Sequence, residues 1–297
     1  VIDADAAWIA SRFVFYLGTL FLWGASSVCL LVPTPLRGDL WQAIQRWVIA
    51  ALIMTVAATV MTLPASSVAI VGDWAGGLEL SNLWLVATQT RGGSAWFYQV
   101  ATTALLMVVA LSRRSRTPAT VAIMAALVLV SPVLVGHTAL HTGWLQWLHR
   151  GNDWLHLLAA GFWFGALYPV VRLLRDFRRP AHEPVALRAL MRFSRAGHVA
   201  VAGVIATGVA NVWLVVGAWP GDLEVGYQRW LWVKIALVGL LTSMALFNRY
   251  WLSPRLRRGA GGTPIDRALR RMTLAEIAVL AVVIGLVATF GIWNPSR

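Results

Sequence analysis

Runs of close to twenty apolar residues recur along almost the whole of this chain. About twenty is the length a helix needs to cross the hydrocarbon of a bilayer, so this repetition constrains the fold more than any single motif. Of the 297 residues, 59% are hydrophobic and only 12% charged, against roughly a quarter charged in a soluble domain. The expected fold is an all-α polytopic membrane protein forming a single membrane domain. Its eight helices are expected at about 8–32, 46–71, 96–112, 119–138, 153–174, 197–218, 230–250 and 272–293.

Arginine placement orients them. The loops after the first, third, fifth and seventh spans carry Arg37 and Arg46; Arg113, Arg114 and Arg116; seven arginines from Arg172 to Arg195; and seven from Arg249 to Arg271. That places 19 of the 25 basic residues on one side, which the positive-inside rule makes cytoplasmic, with both termini outside. The net charge of +13 is then a topology signal, not a nucleic-acid footprint. The outer face sets six bases, Arg12, Arg91, Arg150, Arg229, Lys234 and Arg297, against seven acids, so a cation meets no electrostatic barrier there. Trp74, Trp96, Trp144, Trp147, Trp154, Trp219, Trp230 and Trp293 fall near outer ends, where an indole anchors at the interface. The single cysteine, Cys29, excludes an intrachain disulfide and a CxxC metal motif. No GxxxxGK[ST] loop occurs, so the chain is expected to have no nucleotide-driven pump of its own; it is also expected not to be an enzyme. No cleavable signal pattern precedes the first span, and a start at Val1 rather than Met places the expected natural start upstream.

An internal repeat is visible. "GDWAGGLE" (72–79) follows the second span and "GAWPGDLE" (217–224) the sixth, matching at five positions with an offset of 145. "FLWGA" (21–25) in the first span aligns loosely with "FWFGA" (162–166) in the fifth. Two four-helix halves of the same orientation, 8–138 and 153–293, are expected, related by an axis along the membrane normal. In this alignment Phe15 stands where His156 stands.

Four of the six histidines fall in "GHTALHTGWLQWLHRGNDWLH", from Gly136 to His156. His137 and His141 are four apart, so a continued helix puts them on one face. His156 lies a turn inside the fifth span. The three are expected to converge at the outer mouth as metal ligands, imidazole suiting Cu(II), Zn and Ni, with Asp153 orienting the other ring nitrogen of His156. His149, between Leu148 and Arg150, reads as an ordinary loop residue. Met54 and Met61 share a face of the second span, and thioether suits Cu(I), although methionine in an apolar helix is usually packing. Ionisable and amide groups inside spans usually face the bundle interior, which makes Asn211, Lys234 and Glu276 candidates for a pathway. His198 stands alone near the cytoplasmic end of the sixth span. Gly161 and Gly165 suit close helix contact.

Taken together, "NDWLHLLAAGFWFGALYPV" (152–170), "RFSRAGHVAVAGVIATGVANVWLVVG" (192–217), "LWVKIALVGLLTSMALFNRYWLSPRL" (231–256) and "LAEIAVLAVVIGLVATFG" (274–291) resemble the copper-resistance protein D (CopD) family. The resemblance is strongest over 192–291. It implies a bacterial inner-membrane protein of eight helices that moves copper, as Cu(I) or Cu(II), from periplasm to cytoplasm beside a small periplasmic copper-binding protein of the CopC type. It singles out His137 and His156, not His141. The stretch "LHLLAAGFWFGALYPVVRL" also resembles the haem-bearing helix of HemJ-type protoporphyrinogen oxidases, which implies haem b with His156 as an axial ligand. A third reading is a scaffold that docks a periplasmic copper chaperone through the "GxWxGxLE" loops.

Overall fold

Backbone amides inside hydrocarbon have no water to bond and must satisfy one another, and every regular element among the described residues is a helix. The computed structural model describes residues 3–112, 114–176, 179, 181–252, 254–255, 264–291 and 293. Arg113, Arg178, Arg257, Arg258 and Arg297, counted above, lie outside the described residues. In chain order the helices are α1 (Ala4–Leu31), α2 (Thr34–Val71), α3 (Trp74–Gly77), α4 (Leu80–Gln89), α5 (Arg91–Leu111), α6 (Pro118–Val128), α7 (Gly143–Asp176), α8 (Glu183–Val216), α9 (Gly226–Phe247) and α10 (Pro264–Phe290). Among the described residues seven of them, α1, α2, α5 and α7 to α10, are long and apolar enough to cross a membrane.

The expected fourth span departs from this. Instead of a helix over 119–138, α6 stops at Val128, and two 3₁₀ turns follow, Ser131–Leu134 and Gly136–Leu140. Pro132 cannot donate a helix hydrogen bond and disfavours α backbone in Ser131 before it. Gly136 then takes φ +76°, a left-handed conformation that suits glycine. Two other boundaries also move. α7 begins at Gly143, ten residues before the expected 153, and α2 at Thr34, twelve before the expected 46. Polar residues such as Arg150 and Asn152 end a hydropathy run, but they do not end a helix.

The core is built on α1 against α2 and α7. A Cβ added to Gly24 would meet the Gly161 carbonyl oxygen at 2.1 Å and the Gly165 Cα at 2.8 Å, so the α1–α7 crossing requires glycine on both helices. The expected packing role of Gly161 and Gly165 is borne out there, and Trp23 Nε1 donates to the Leu158 carbonyl beside it at 2.8 Å. α8 packs on α7, and α9 on α10. Much of the apolar surface of α5, α8 and α9 stays uncovered by protein, including Val108, Val199, Trp213 and Leu240, as lipid-facing helices require.

Two ends can be told apart. At one, Arg12 near the start of α1 reaches the Ala288 carbonyl near the close of α10 at 3.3 Å. At the other, Trp41 reaches the Arg116 carbonyl, and Arg192 the Leu31 carbonyl, each at 3.3 Å. The first is called here the histidine end and the second the arginine end. The motif-matched glycines Gly72 and Gly217 both terminate long helices, α2 and α8, with φ of +93° and +75°. Beyond them the two segments differ. Asp73 caps α3 by accepting from Gly76 N at 2.8 Å, whereas Ala218 and Pro220 stand where Asp73 and Ala75 do, and no helix forms.

Candidate functional site

The histidine end gathers four imidazoles in two layers. The upper layer is held by the 3₁₀ turn Gly136–Leu140 and the first turns of α7. Thr138, buried, donates to the Val133 carbonyl at 2.7 Å and locks the turn. His137 meets Tyr227 edge-on with ring centroids 5.2 Å apart, and His141 lies 5.2 Å from His149 by the same measure. His141 sits in extended backbone at φ −105°, ψ 162°, so it does not share a helical face with His137 as the four-residue spacing suggests.

Hydrogen bonding decides which nitrogen each ring can offer. The last carbonyls of a helix lack intrahelical partners, and the Leu214 carbonyl of α8 lies 2.8 Å from His141 Nε2. A carbonyl only accepts, so His141 Nε2 carries the proton and Nδ1 keeps its lone pair. His137 Nε2 and His149 Nδ1 are buried and make no hydrogen bond. Burial foremost, and then the Arg12 guanidinium, hold His137 below the ordinary imidazole range. Three imidazoles thus present unused nitrogens in one neighbourhood. Among the described residues, no three His, Cys, Asp or Glu side chains converge closely enough to hold a metal ion as they stand.

The lower layer lies on the face of α7 below His149. Asp153 and His156 follow His149 at four and seven residues, which places the three along one stripe. His156 Nδ1 lies 2.8 Å from the Thr207 hydroxyl, which itself donates to the Gly203 carbonyl one turn back. The hydroxyl's one proton is spent there, so it accepts from His156 Nδ1–H and leaves Nε2 as the lone-pair nitrogen of a neutral ring. Gly208 packs beside this ring, where a Cβ would meet His156 Cε1 at an ordinary contact distance of 3.5 Å. The expected Asp153–His156 pairing is therefore replaced, at Nδ1, by Thr207. Asp153 instead accepts from Asn211 Nδ2 at 3.0 Å, and Asn211 Oδ1 accepts from Asn152 Nδ2 at 2.7 Å. Lys234 of α9 lies within electrostatic range of both Asp153 and His156.

Three of the expected residues stand elsewhere. Met61 is 52% exposed on the outer surface of the bundle, so its sulfur does not face the interior. Met54, one of the two expected thioethers, is half-buried on α2. Glu276 is buried at the arginine end, where Asn248 donates to it. The residue missed by sequence reasoning is His149, only 1% exposed. Its signal was the spacing of four and seven residues to Asp153 and His156, hidden by starting that helix at 153.

A multi-spanning helical bundle with imidazoles at one end and a carboxylate, amide and ammonium group beneath them belongs among polytopic membrane proteins. Comparison with known proteins gives the particular family. Residues 3–147 match the family description "Copper resistance protein D-like, N-terminal domain", and residues 187–290 match "Copper resistance protein D". The chain belongs to the copper resistance protein D family. It is 31% identical over 290 residues to "Inner membrane protein YebZ" of Escherichia coli (strain K12), covering 95% of this chain and 97% of that one. It is 34% identical over 223 residues to "Copper resistance protein D" of Pseudomonas syringae pv. tomato, covering 71% of each. Against "Copper transport protein CutJ" of Bacillus subtilis (strain 168) it is 26% identical over 220 residues, 70% of this chain and 39% of that one. No solved structure matches. Family membership ties the chain to copper handling in a membrane, and none of the three names describes an enzyme.

Proposed function

We propose that this chain conducts copper ions across the bacterial inner membrane, from periplasm to cytoplasm, and that the histidine end is the periplasmic capture face. The observation that carries the reading is the set of buried ring nitrogens without partners, His137 Nε2 and His149 Nδ1, beside His141 with its Nδ1 lone pair. A buried nitrogen acceptor without a hydrogen-bond donor is costly, and a copper ion is the kind of cargo that relieves several at once. In this reading the three rings turn toward a single ion when it arrives. The ion then passes down the α7 stripe to Asp153 and to His156 Nε2, about 10 Å below His149 at 1.5 Å per residue. Lys234 compensates the Asp153 charge until a cation takes its place, and Asn211 holds the carboxylate in position.

In this reading Pro118–Leu134 is the eighth crossing, completed by a 3₁₀ turn that rises about 2.0 Å per residue against 1.5 for α-helix. Both termini are then periplasmic and the arginine end cytoplasmic, in two halves of like orientation. A periplasmic copper-binding protein of the CopC type delivers the ion to the histidine end.

The test is copper uptake by proteoliposomes holding the purified chain, assayed with Cu(I) and with Cu(II). Uptake above empty vesicles, lost in the His137→Ala, His149→Ala double variant, is expected. Uptake equal to that of empty vesicles refutes transport. A Soret band in the purified protein, lost with His156→Ala, would replace the reading with the haem-bearing one.

A further inference from the structure

At the arginine end a cavity of about 510 Å³ opens between α7, α8, α9 and α10, a size in the range of small-molecule sites. It lies where α8, packed on α7, stands apart from α9, packed on α10. Its walls are mostly apolar, with the aromatic rings of Trp163, Phe193 and Tyr250, and its polar groups are few: Ser194, His198, Thr242, Asn248, Arg249, Thr273 and Glu276. α9 leaves the α-helical register here, as Asn248–Leu252 forms a π-turn, an irregularity frequent at functional sites. Its first two residues hold the two polar poles. Asn248 donates to Glu276, and Arg249 donates to the Ser194 carbonyl and hydroxyl.

The His198 ring has a defined tautomer. Its Nδ1 lies 2.7 Å from the Ser194 carbonyl, which only accepts, and 3.2 Å from Arg249 Nη1, whose two protons go to the Ser194 carbonyl and hydroxyl, so Nδ1 carries the proton. Nε2 is therefore a lone pair, and it is buried without a hydrogen-bond partner. What this nitrogen lacks is a donor. A metal cation is a poor answer, because the Arg249 guanidinium sits 3.2 Å from the same ring. An anion is equally poor, because Glu276 lines the cavity. A neutral hydroxyl on an apolar ring meets both conditions and suits the aromatic walls.

We propose that this cavity binds a membrane-soluble dihydroxy aromatic molecule of the quinol class, with one hydroxyl donating to His198 Nε2 and the second directed to Glu276. The proposal does not rest on copper transport.

It is tested by calorimetric titration of the full chain in lipid nanodiscs with duroquinol, corrected against empty nanodiscs. Saturable binding is expected, weaker by about tenfold for the dimethyl ether of duroquinol, which cannot donate, and by about as much in His198→Phe. Should His198→Phe not fold, judged by helicity and monodisperse elution, Met191→Trp, which fills the cavity from two turns away on α8, is expected to abolish binding. Heat equal to that of empty nanodiscs, equal binding of quinol and ether, or binding that survives His198→Phe or Met191→Trp in a folded chain overturns the proposal. Copper bound at His198 in a chain already carrying His137→Ala and His149→Ala overturns it as well.

Discussion

The two ends of this bundle use histidine in opposite company. At the histidine end, three rings with unused nitrogens lie above Asp153, and the cation nearby, Lys234, faces that carboxylate. At the arginine end, the His198 ring stands with a guanidinium against it and a carboxylate held by an amide nearby. The imidazole is the same group in both places and in both its tautomer is set by a helix carbonyl or hydroxyl. Its neighbours decide what it can accept. Several lone pairs above a carboxylate suit a metal cation, whereas one lone pair beside a fixed positive charge suits a neutral donor.

The largest effect should come from the crossing that both ends share. Gly24→Leu drives a side chain into the Gly161 backbone, which costs at least the 1–3 kcal/mol typical of overpacking, roughly, because backbone cannot rotate aside. The expected outcome is loss of monodisperse protein, read by size-exclusion elution, with both sites lost together. If either site survives, the ends are not held by a common core.

Next in size, His137→Ala with His149→Ala should weaken copper binding by about tenfold or more, as removal of ligands from a soft-metal site does. Duroquinol binding at the other end should be unchanged, and parallel loss would erase the distinction between the ends. Thr207→Val removes the group that fixes the His156 tautomer. Partners of this kind are worth about 10–100-fold, so transport should fall by roughly tenfold while capture at the upper layer persists. Equal loss of capture would place His156 in the upper site.

The pH profile gives a finer cut. His137 is held below the ordinary imidazole value of 6.5 by burial and by Arg12, so its neutral, ligating form persists as pH falls past that value. Copper capture should therefore fade only below pH 6.5, and Arg12→Ala should move the midpoint upward. A midpoint at or above 6.5 in the unaltered chain counts against His137 as a ligand. The smallest effect belongs to Met61→Leu, whose side chain faces outward. Binding and stability should stay within about 0.5 kcal/mol, and a larger loss of copper uptake would bring the thioether back into the path.

Much of this arrangement is legible along the chain. The apolar runs located the long helices, the glycines of "GFWFG" marked the tightest crossing, and the polar residues Asn211, Lys234 and Glu276 were found by their cost in hydrocarbon. Two features were not legible. Hydropathy places a boundary where polarity begins, so the first turns of α7 were read as loop and His149 with them. The spacing of His137 and His141 was read on a helix that Pro132 and Gly136 bring to an end.

The sequence by itself determined a helical membrane bundle, its family and the types of residue that line it, because hydrocarbon admits few backbone solutions and penalises every stray polar group. Only the tertiary structure decided which nitrogen His141 and His156 offer. The Leu214 and Gly203 carbonyls that fix those tautomers, the first directly and the second through Thr207, both belong to α8. No spacing along α7 or the turns before it contains that information, since a proton goes to whichever ring nitrogen meets an acceptor from another segment.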